Sequence, residues 1–96
     1  MSSLIWSVAA LADVQRLYRF LAPKNLGAAK RAVATIRRAV RWLQDYPHLG
    51  KLSNHLGPGH RQLTVPFGGE GYVVFYSEKG GDVVILAVKH QRECQP

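Results

Sequence analysis

The sequence predicts an α+β fold in which an antiparallel helical hairpin packs on one face of a small antiparallel sheet, in the order β-α-α-β-β-β. Three observations predict it: two stretches with apolar residues at helical spacing, a change to a two-residue period in the second half, and short connections between the last three strands. The chain has 96 residues, which is enough for one small domain covering residues 1–96.

The first part of the chain predicts a strand followed by a helix. Leu4, Ile5 and Trp6 form a short apolar run typical of a strand. Ser7 can cap the following helix, because its hydroxyl can accept a hydrogen bond from an unpaired backbone N–H. The apolar stripe of this helix has spacings of three and four and consists of Leu11, Val14, Tyr18 and Leu21. We expect Pro23 to end the helix, since the residue before proline avoids the α region.

The second helix has the most regular periodicity in the chain, and Asn25 can cap it. We expect its apolar stripe to face the sheet and to be buried; the stripe consists of Leu26, Ala29, Val33, Ile36, Val40 and Leu43. Basic residues flank the stripe on both sides: Lys30, Arg37 and Arg41 on one, and Arg31 and Arg38 on the other. The short connection around Pro23 implies an antiparallel helical hairpin.

The second half of the chain predicts three strands. Residues 46–50 break the second helix, and a polar loop follows through Asn54 and His55. Strands are then predicted by an alternating stretch at residues 62–67 and by apolar runs at residues 72–76 and 83–88. Connections this short favour an antiparallel meander. We expect residues 89–96 to be frayed or to depend on a partner for their order.

Charge and composition limit the classes of function. Lys and Arg number 13 against 6 Asp and Glu, so the formal net charge is +7. Such a surface attracts nucleic acid or an acidic protein segment, although a solvated helix face also explains it. The single cysteine, Cys94, cannot form an internal disulfide. With no secretory signal and no apolar run of ~20 residues, we expect a cytoplasmic protein without membrane association.

No cofactor and no metal ion are expected. The histidines are scattered, there is no cysteine cluster, and no pair has the spacing of zinc ligands; they are His48, His55, His60 and His90. The acidic residues include no close pair for two-carboxylate hydrolysis. The glycine-rich residues 68–71 lie between two strands rather than at the start of a helix, which favours a turn over a phosphate-binding loop.

One basic constellation can carry chemistry. Arg61 lies at the start of a strand, and the last strand ends with Lys89 and His90, followed closely by Arg92. Beside a groove, the histidine can act as an acid or base while an arginine stabilises a phosphorane. The same groups can contact an anionic protein surface or be solvated strand ends, and the residues alone leave these interpretations open.

The order of several short motifs extends over nearly the whole chain. They are Trp6, an A-x-x-x-I stretch at 32–36, a P-x-x-G turn at 47–50, Arg61, residues 71–76, and an I-L-x-V-x-H-x-R-E ending at 85–93. Together they resemble the ParE branch of the RelE/ParE toxin superfamily, the toxin half of type II toxin–antitoxin (plasmid stabilisation) modules. The family fold that this resemblance implies, a helical hairpin on an antiparallel sheet, agrees with the fold predicted from periodicity.

The resemblance implies one of two activities. RelE-like members cleave mRNA in the ribosome, and ParE-like members inhibit DNA gyrase. Ribonuclease members commonly have Gly-Tyr-Arg in the third strand, whereas Val73 follows Tyr72 here. They also have a basic residue just past the last strand. Gln91 stands at that position here, although a shift of one place in the alignment would offer Arg92. A third feature of these members, an aromatic residue in a C-terminal tail, is absent here. These departures from the ribonuclease pattern favour inhibition of DNA gyrase over cleavage of mRNA.

The resemblance also implies partners and contact residues. We expect a cognate antitoxin in a hetero-oligomer of two toxins with two antitoxins or larger. Contacts with the target or antitoxin are expected at Arg61, Lys89, His90, Arg92, Arg37 and Arg41. For a ribonuclease acting on ribosome-bound mRNA, the catalytic candidates are Arg61, His90 and Arg92. A non-toxic relative that only binds its antitoxin stays open, whereas a small basic nucleic-acid-binding module explains the charge but not the motif order.

Overall fold

Two helices lie on one face of a five-stranded sheet, in a computed structural model that describes residues 3–53 and 57–94. The strands are β1 (Leu4–Trp6), β2 (Lys51–Leu52), β3 (His60–Phe67), β4 (Glu70–Lys79) and β5 (Asp82–His90). The helices are α1 (Val8–Leu21) and α2 (Leu26–Asp45), and a 3-10 helix spans Gln91–Cys94. The predicted fold class is confirmed. The loop residues Asn54 and His55, and the tail beyond Cys94, lie outside the described residues.

The sheet has the strand order β1-β5-β4-β3-β2. Strands β2 to β5 are antiparallel neighbours, as the short connections predict. β1 runs parallel to β5, with Leu4 opposite Val83 and Trp6 opposite Ile85, so the sheet is mixed and not, as the sequence predicts, antiparallel throughout. A parallel neighbour is possible because both helices and three strands separate β1 from β5 along the chain. The two-residue strand β2 is an addition that no periodicity signals.

The two predicted helix caps are confirmed. The Ser7 hydroxyl accepts a hydrogen bond from the Ala10 N–H at 3.0 Å, and Asn25 Oδ1 accepts one from the Ala28 N–H at 2.9 Å. Each side chain satisfies one of the backbone donors that a helix start leaves unpaired. Ser7 also donates to the Leu86 carbonyl at 3.3 Å, which attaches the start of α1 to β5.

The buried face of α2 differs from the predicted stripe at two positions. Ala29, Ile36, Val40 and Leu43 are buried as expected. Leu26, the first residue of the helix, is 50% exposed, and Val33 is only partly buried. Ala32 is buried beside Ile36 instead. The buried positions 29, 32, 36, 40 and 43 also have spacings of three and four, so Val33 lies at the margin of the face that meets the sheet.

The register of α1 differs more, and part of its predicted stripe is wrong. Leu11 is 50% exposed, and the buried residues of this helix are Ala10 and Leu17. Val14 and Leu21 pack against the core from partly buried positions. Positions 10, 14, 17 and 21 satisfy helical spacing as well as the predicted set does, so periodicity alone cannot choose between them.

In the described part of the chain, no helix has the length and apolar character to cross a membrane.

The C-terminal segment is ordered as far as Cys94, contrary to the expected fraying. Lys89 and His90 belong to β5, and residues 91–94 form the 3-10 helix. Glu93 stabilises this end of the chain, because its carboxylate accepts the His90 N–H at 2.8 Å and pairs with Arg16 of α1 at 2.9 Å.

Candidate functional site

The basic residues predicted to form one constellation lie in two places. Arg61 is opposite Tyr76 on β4, whereas His90 is opposite Tyr72. These tyrosines are four positions apart on β4, which corresponds to about 13 Å along the strand. Lys89, His90 and Arg92 are therefore brought together, and Arg61 is not brought to them.

Arg61 belongs to a group of hydrogen bonds that holds the loop after α2 against the sheet. Its Nη1 donates to the Gly50 carbonyl at 2.8 Å. The Tyr76 hydroxyl accepts from the Gly50 N–H at 2.9 Å and donates to the Pro47 carbonyl at 2.9 Å. Burial raises the pKa of Tyr76, so its hydroxyl keeps the proton that it donates. We call these four residues the loop clamp.

A C-terminal ion-pair network surrounds the other predicted residues. Lys89 pairs with Asp13 at 3.2 Å, and Arg92 pairs with Glu70 at 2.6 Å. The network consists of Asp13, Arg16, Glu70, Lys89, His90, Arg92 and Glu93. Its three carboxylates balance its two arginines and one lysine, so the site carries no net charge when His90 is neutral. It does not present an unpaired cationic surface to a phosphate.

Asp13 also closes the exposed edge of β5. β1 pairs with β5 only over Val83–Ile85, which leaves later backbone groups of β5 without a strand neighbour on that side. The Asp13 carboxylate accepts the Val88 N–H at 2.9 Å while it contacts Lys89. One side chain of α1 thus satisfies a strand edge and positions a basic residue.

The hydrogen bonds of His90 define its tautomer. Nδ1 accepts the Arg92 N–H at 3.1 Å, so the proton of the neutral ring is on Nε2, which lies 3.6 Å from a Glu70 oxygen. The ring contacts Tyr72 edge to face, with centroids 5.5 Å apart. In this tautomer Nε2 can donate a hydrogen bond but has no lone pair with which to accept a proton, so it does not suit a general base.

Acidification is expected to loosen the C-terminal network through Glu93. Burial alone would raise the pKa of Glu93, but the His90 N–H and the Arg16 guanidinium outweigh it, so the pKa lies below the ordinary 4.5. A carboxyl whose pKa is lower when folded stabilises the fold fully above its ordinary value and loses that contribution as the pH falls through the folded value.

Thermal melts of the wild type and of Glu93→Gln between pH 7 and pH 3 test this expectation. The variant should be less stable at pH 7 by about 1 kcal/mol or less, because the ion pair is partly exposed. The difference between the two proteins should shrink below pH 4.5. A difference that stays constant down to pH 3 would show that the Glu93 carboxylate does not stabilise this end of the chain.

The outer surface of α2 differs from this balanced network. Arg37, Arg38 and Arg41 line a shallow groove of about 320 Å³ together with Ala34. Among residues 3–53 and 57–94, none of these arginines has a carboxylate within ion-pair distance. The sequence predicts Arg37 and Arg41 on one flank of the apolar stripe and Arg38 on the other, whereas the structure places all three along one exposed groove.

An exposed aromatic pair continues this surface. Trp42 and Tyr46 stack with centroids 5.8 Å apart and planes inclined by 25°, and they are 53% and 55% exposed. Trp42 also lines an adjoining depression of about 170 Å³ with Arg38, Arg41 and Asp45. Sequence reasoning did not identify this pair, although a spacing of four on a helix is the signal for such a contact.

Large apolar side chains are exposed around β1, α1 and the hairpin turn. They are Ile5, Val8, Leu11, Phe20 and Leu26. Val8 and Leu11 lie three positions apart on α1, so they share one side of the helix. An apolar surface of this kind suits a protein partner.

No metal centre is formed by the residues that the structure describes, since no three potential ligands lie together among them. His48 pairs with Glu78, and the His60 ring contacts the carbonyls of Gly57 and Pro58. We expect a chelator to leave the melting temperature unchanged. A lower melting temperature after chelation that added zinc restores would contradict this expectation.

Comparison with known proteins identifies the family of the chain. A family model described as the ParE toxin of the type II toxin–antitoxin system, parDE, matches residues 4–94. Toxin RelE1 of Caulobacter vibrioides is 31% identical over 87 residues, which are 91% of this chain and 90% of that protein. Toxin RelE3 of the same organism is 32% identical over 81 residues, which are 84% of this chain and 85% of that protein.

A solved structure agrees with this assignment. A chain of the chromosomal ParDE TA system from P. aeruginosa superposes with a TM-score of 0.78 at 28% identity, covering 94% of this chain and 96% of that chain. The family match extends from β1 to the C-terminal 3-10 helix and so includes both helices, the whole sheet and both groups of basic residues. The chain belongs to the ParE toxin family of type II toxin–antitoxin systems.

Proposed function

We propose that this toxin inhibits DNA gyrase and that a cognate antitoxin neutralises it. The observation that carries the proposal is that the groups available to a ribonuclease do not converge. Arg61 holds the Gly50 carbonyl, about 13 Å along the sheet from His90. Lys89 and Arg92 are each paired with a carboxylate. A phosphate-cleaving site needs cationic donors aimed at one developing charge.

Strand β4 supports the same conclusion. Val73 is 6% exposed and stands where ribonuclease relatives commonly have an arginine. Its cross-strand neighbours are Thr64 on β3 and Lys89 on β5, and the amine of Lys89 contacts Asp13. No guanidinium therefore extends from this position to take the place of the missing arginine.

The antitoxin is proposed to cover the exposed apolar residues of β1, α1 and the hairpin turn, and to neutralise basic residues. The contact residues proposed for the target or the antitoxin remain Arg61, Lys89, His90, Arg92, Arg37 and Arg41. The two on α2 are exposed and have no ion pair among the described residues. We further propose that residues 1–96 act as one toxin domain, in the cytoplasm, within a hetero-oligomer.

Antitoxin binding is expected to raise the melting temperature of the toxin. A ligand that binds only the native state, present at 100 times its dissociation constant, stabilises that state by about 2.7 kcal/mol. For a domain of this size, each kilocalorie per mole of stabilisation raises the melting temperature by about 4–8 °C. Calorimetry of the toxin alone and of the complex measures the shift, and equal melting temperatures would reject the proposed partner.

Induction of the toxin in cells without antitoxin tests the target. Filamentation with induction of the DNA-damage response is the expected result. Rapid arrest of translation with cleaved mRNA would reject gyrase in favour of the ribosome. Growth without any phenotype would also reject it and would indicate a relative that only binds its antitoxin.

The ribonuclease alternative has one observation in its favour, which is that His90 Nε2 and the Arg92 guanidinium both lie at the Glu70 carboxylate. If this alternative holds, Arg61→Ala and His90→Ala should each reduce mRNA cleavage by ~10²–10³-fold. Arg61→Ala also removes a loop-clamp hydrogen bond, so its melting temperature must be measured alongside. Graded effects on toxicity without mRNA cleavage are expected for a gyrase inhibitor.

A further inference from the structure

The outer side of α2 carries a surface that neither the core nor the C-terminal network uses. We call it the arginine face and define it by Arg37, Arg38, Arg41, Trp42 and Tyr46. The three arginines line one groove, and the two rings stack beside it. α2 as a whole contains five basic residues and a single acidic residue, Asp45.

The charge of the arginine face is not compensated by its surroundings. Asp45 also lines the adjoining depression, but no ion pair joins it to Arg38 or Arg41 within 4.0 Å. Three positive charges beside one negative charge leave a local excess of positive potential. Guanidinium groups match phosphate oxygens through paired donors, so this excess suits phosphodiester groups.

Along α2, the two aromatic residues of the arginine face follow directly after its arginines. Arg37 and Arg41 are one helical turn apart, about 6 Å along the axis. Trp42 adjoins Arg41, and Tyr46 follows one turn later, so the cationic groove runs into the aromatic pair. Proteins that bind single-stranded nucleic acid combine a cationic groove that follows the phosphates with rings on which bases stack.

We propose that the arginine face binds single-stranded nucleic acid, with phosphates on the three arginines and an unpaired base against Trp42. An acidic peptide would satisfy the arginines but would leave the aromatic pair unused. The arginine face itself has no exposed aliphatic side chain to anchor a protein segment, whereas such side chains are exposed on β1, α1 and the hairpin turn. The inference goes beyond gyrase inhibition and does not depend on it, because the binding is a property of the free chain.

Fluorescence anisotropy of a labelled 12-nucleotide DNA strand with the full chain tests this site. The variant Arg37→Gln/Arg38→Gln/Arg41→Gln removes the groove charges. The matched control Arg19→Gln/Lys24→Gln/Lys79→Gln removes the same amount of charge from exposed positions outside the face. With about 0.7 counterions released per phosphate contact, the groove variant should lose about two units of salt slope and bind at least about tenfold more weakly at low salt. The control should bind within about twofold of the wild type.

The Trp42→Ala variant tests the base contact. It should weaken binding of the single strand about tenfold, as expected when a stacked base is lost, and leave binding of the same sequence as a duplex unchanged. An RNA strand should behave like the DNA strand, because the phosphates and the ring faces are common to both. Circular dichroism and thermal melts confirm that every variant is folded.

Three results would overturn the proposal. Equal weakening by the groove variant and by the matched control would show that overall charge, not this face, attracts nucleic acid. If Trp42→Ala binds the single strand as tightly as the wild type does, no base stacks on Trp42. Displacement of the DNA strand by an equally charged polyglutamate peptide at the same concentration would identify the face as a site for an acidic protein segment.

Discussion

Replacing Ile36 with alanine is expected to lower the free energy of unfolding by about 2–5 kcal/mol, the range for removing a large aliphatic side chain from a packed core. Ile36 is 1% exposed and lies in the core cluster with Tyr76 of β4 and Ile85 of β5. The substitution leaves a cavity between α2 and the sheet, and the neighbouring side chains can fill it only partly. The loss is a large share of the stability of a domain of this size.

Urea unfolding of Ile36→Ala and Leu26→Ala measures this difference. Leu26 is in the same helix and belongs to the stripe that the sequence predicts, but it is 50% exposed, so its truncation should cost about 0.5 kcal/mol or less. The slope of the unfolding free energy against urea should be unchanged in both variants. Equal losses in the two variants would show that α2 packs on the sheet in a different register.

Replacing Gly50 with alanine is expected to disrupt the loop clamp and to cost about 1–3 kcal/mol or more. A Cβ at this position would lie 2.7 Å from the Gln62 carbonyl oxygen and 2.7 Å from the Tyr76 hydroxyl. The first neighbour is backbone of β3, so the loop itself must move. That movement breaks the hydrogen bond from the Gly50 N–H to Tyr76 and the one from Arg61 to the Gly50 carbonyl.

Two variants separate the steric effect from the hydrogen bonds. Gly69→Ala is the matched control, because a Cβ there meets nothing within 4 Å, and its effect should stay within about 0.5 kcal/mol. Tyr76→Phe keeps the ring and removes the hydroxyl, and it should cost about 1–3 kcal/mol because a buried donor or acceptor is left unpaired. If Gly50→Ala is as stable as Gly69→Ala, the close approach of the loop to β3 is not present in solution.

The parts of the fold that local chemistry determines could be predicted. The caps Ser7 and Asn25 depend only on a side-chain oxygen beside the first turn of a helix, and both predictions are confirmed. The strand alternation of β3 and the short turns after it likewise predict the antiparallel meander. The parallel pairing of β1 with β5 could not be predicted, because no connection length constrains two segments so far apart in the chain.

The candidate sites were harder to predict, for a related reason. The positions of basic residues in the sequence predict which side chains are cationic but not which carboxylate each one meets. Asp13 contacts Lys89, and Arg16 contacts Glu93, across more than 70 positions of sequence. The arginines of α2 are near one another in the chain, so helical geometry alone places them together. The aromatic pair beside them also consists of residues four positions apart on one helix, so it could have been predicted from the sequence.

The most direct test of the proposed function is a supercoiling assay with purified gyrase, relaxed plasmid and the purified toxin, with no ribosome present. The prediction is that supercoiling is inhibited or that cleaved DNA accumulates, and that prior addition of the cognate antitoxin prevents the effect. A toxin that leaves gyrase unaffected over the same concentration range while cutting ribosome-bound mRNA would contradict the proposed target and establish the ribonuclease alternative.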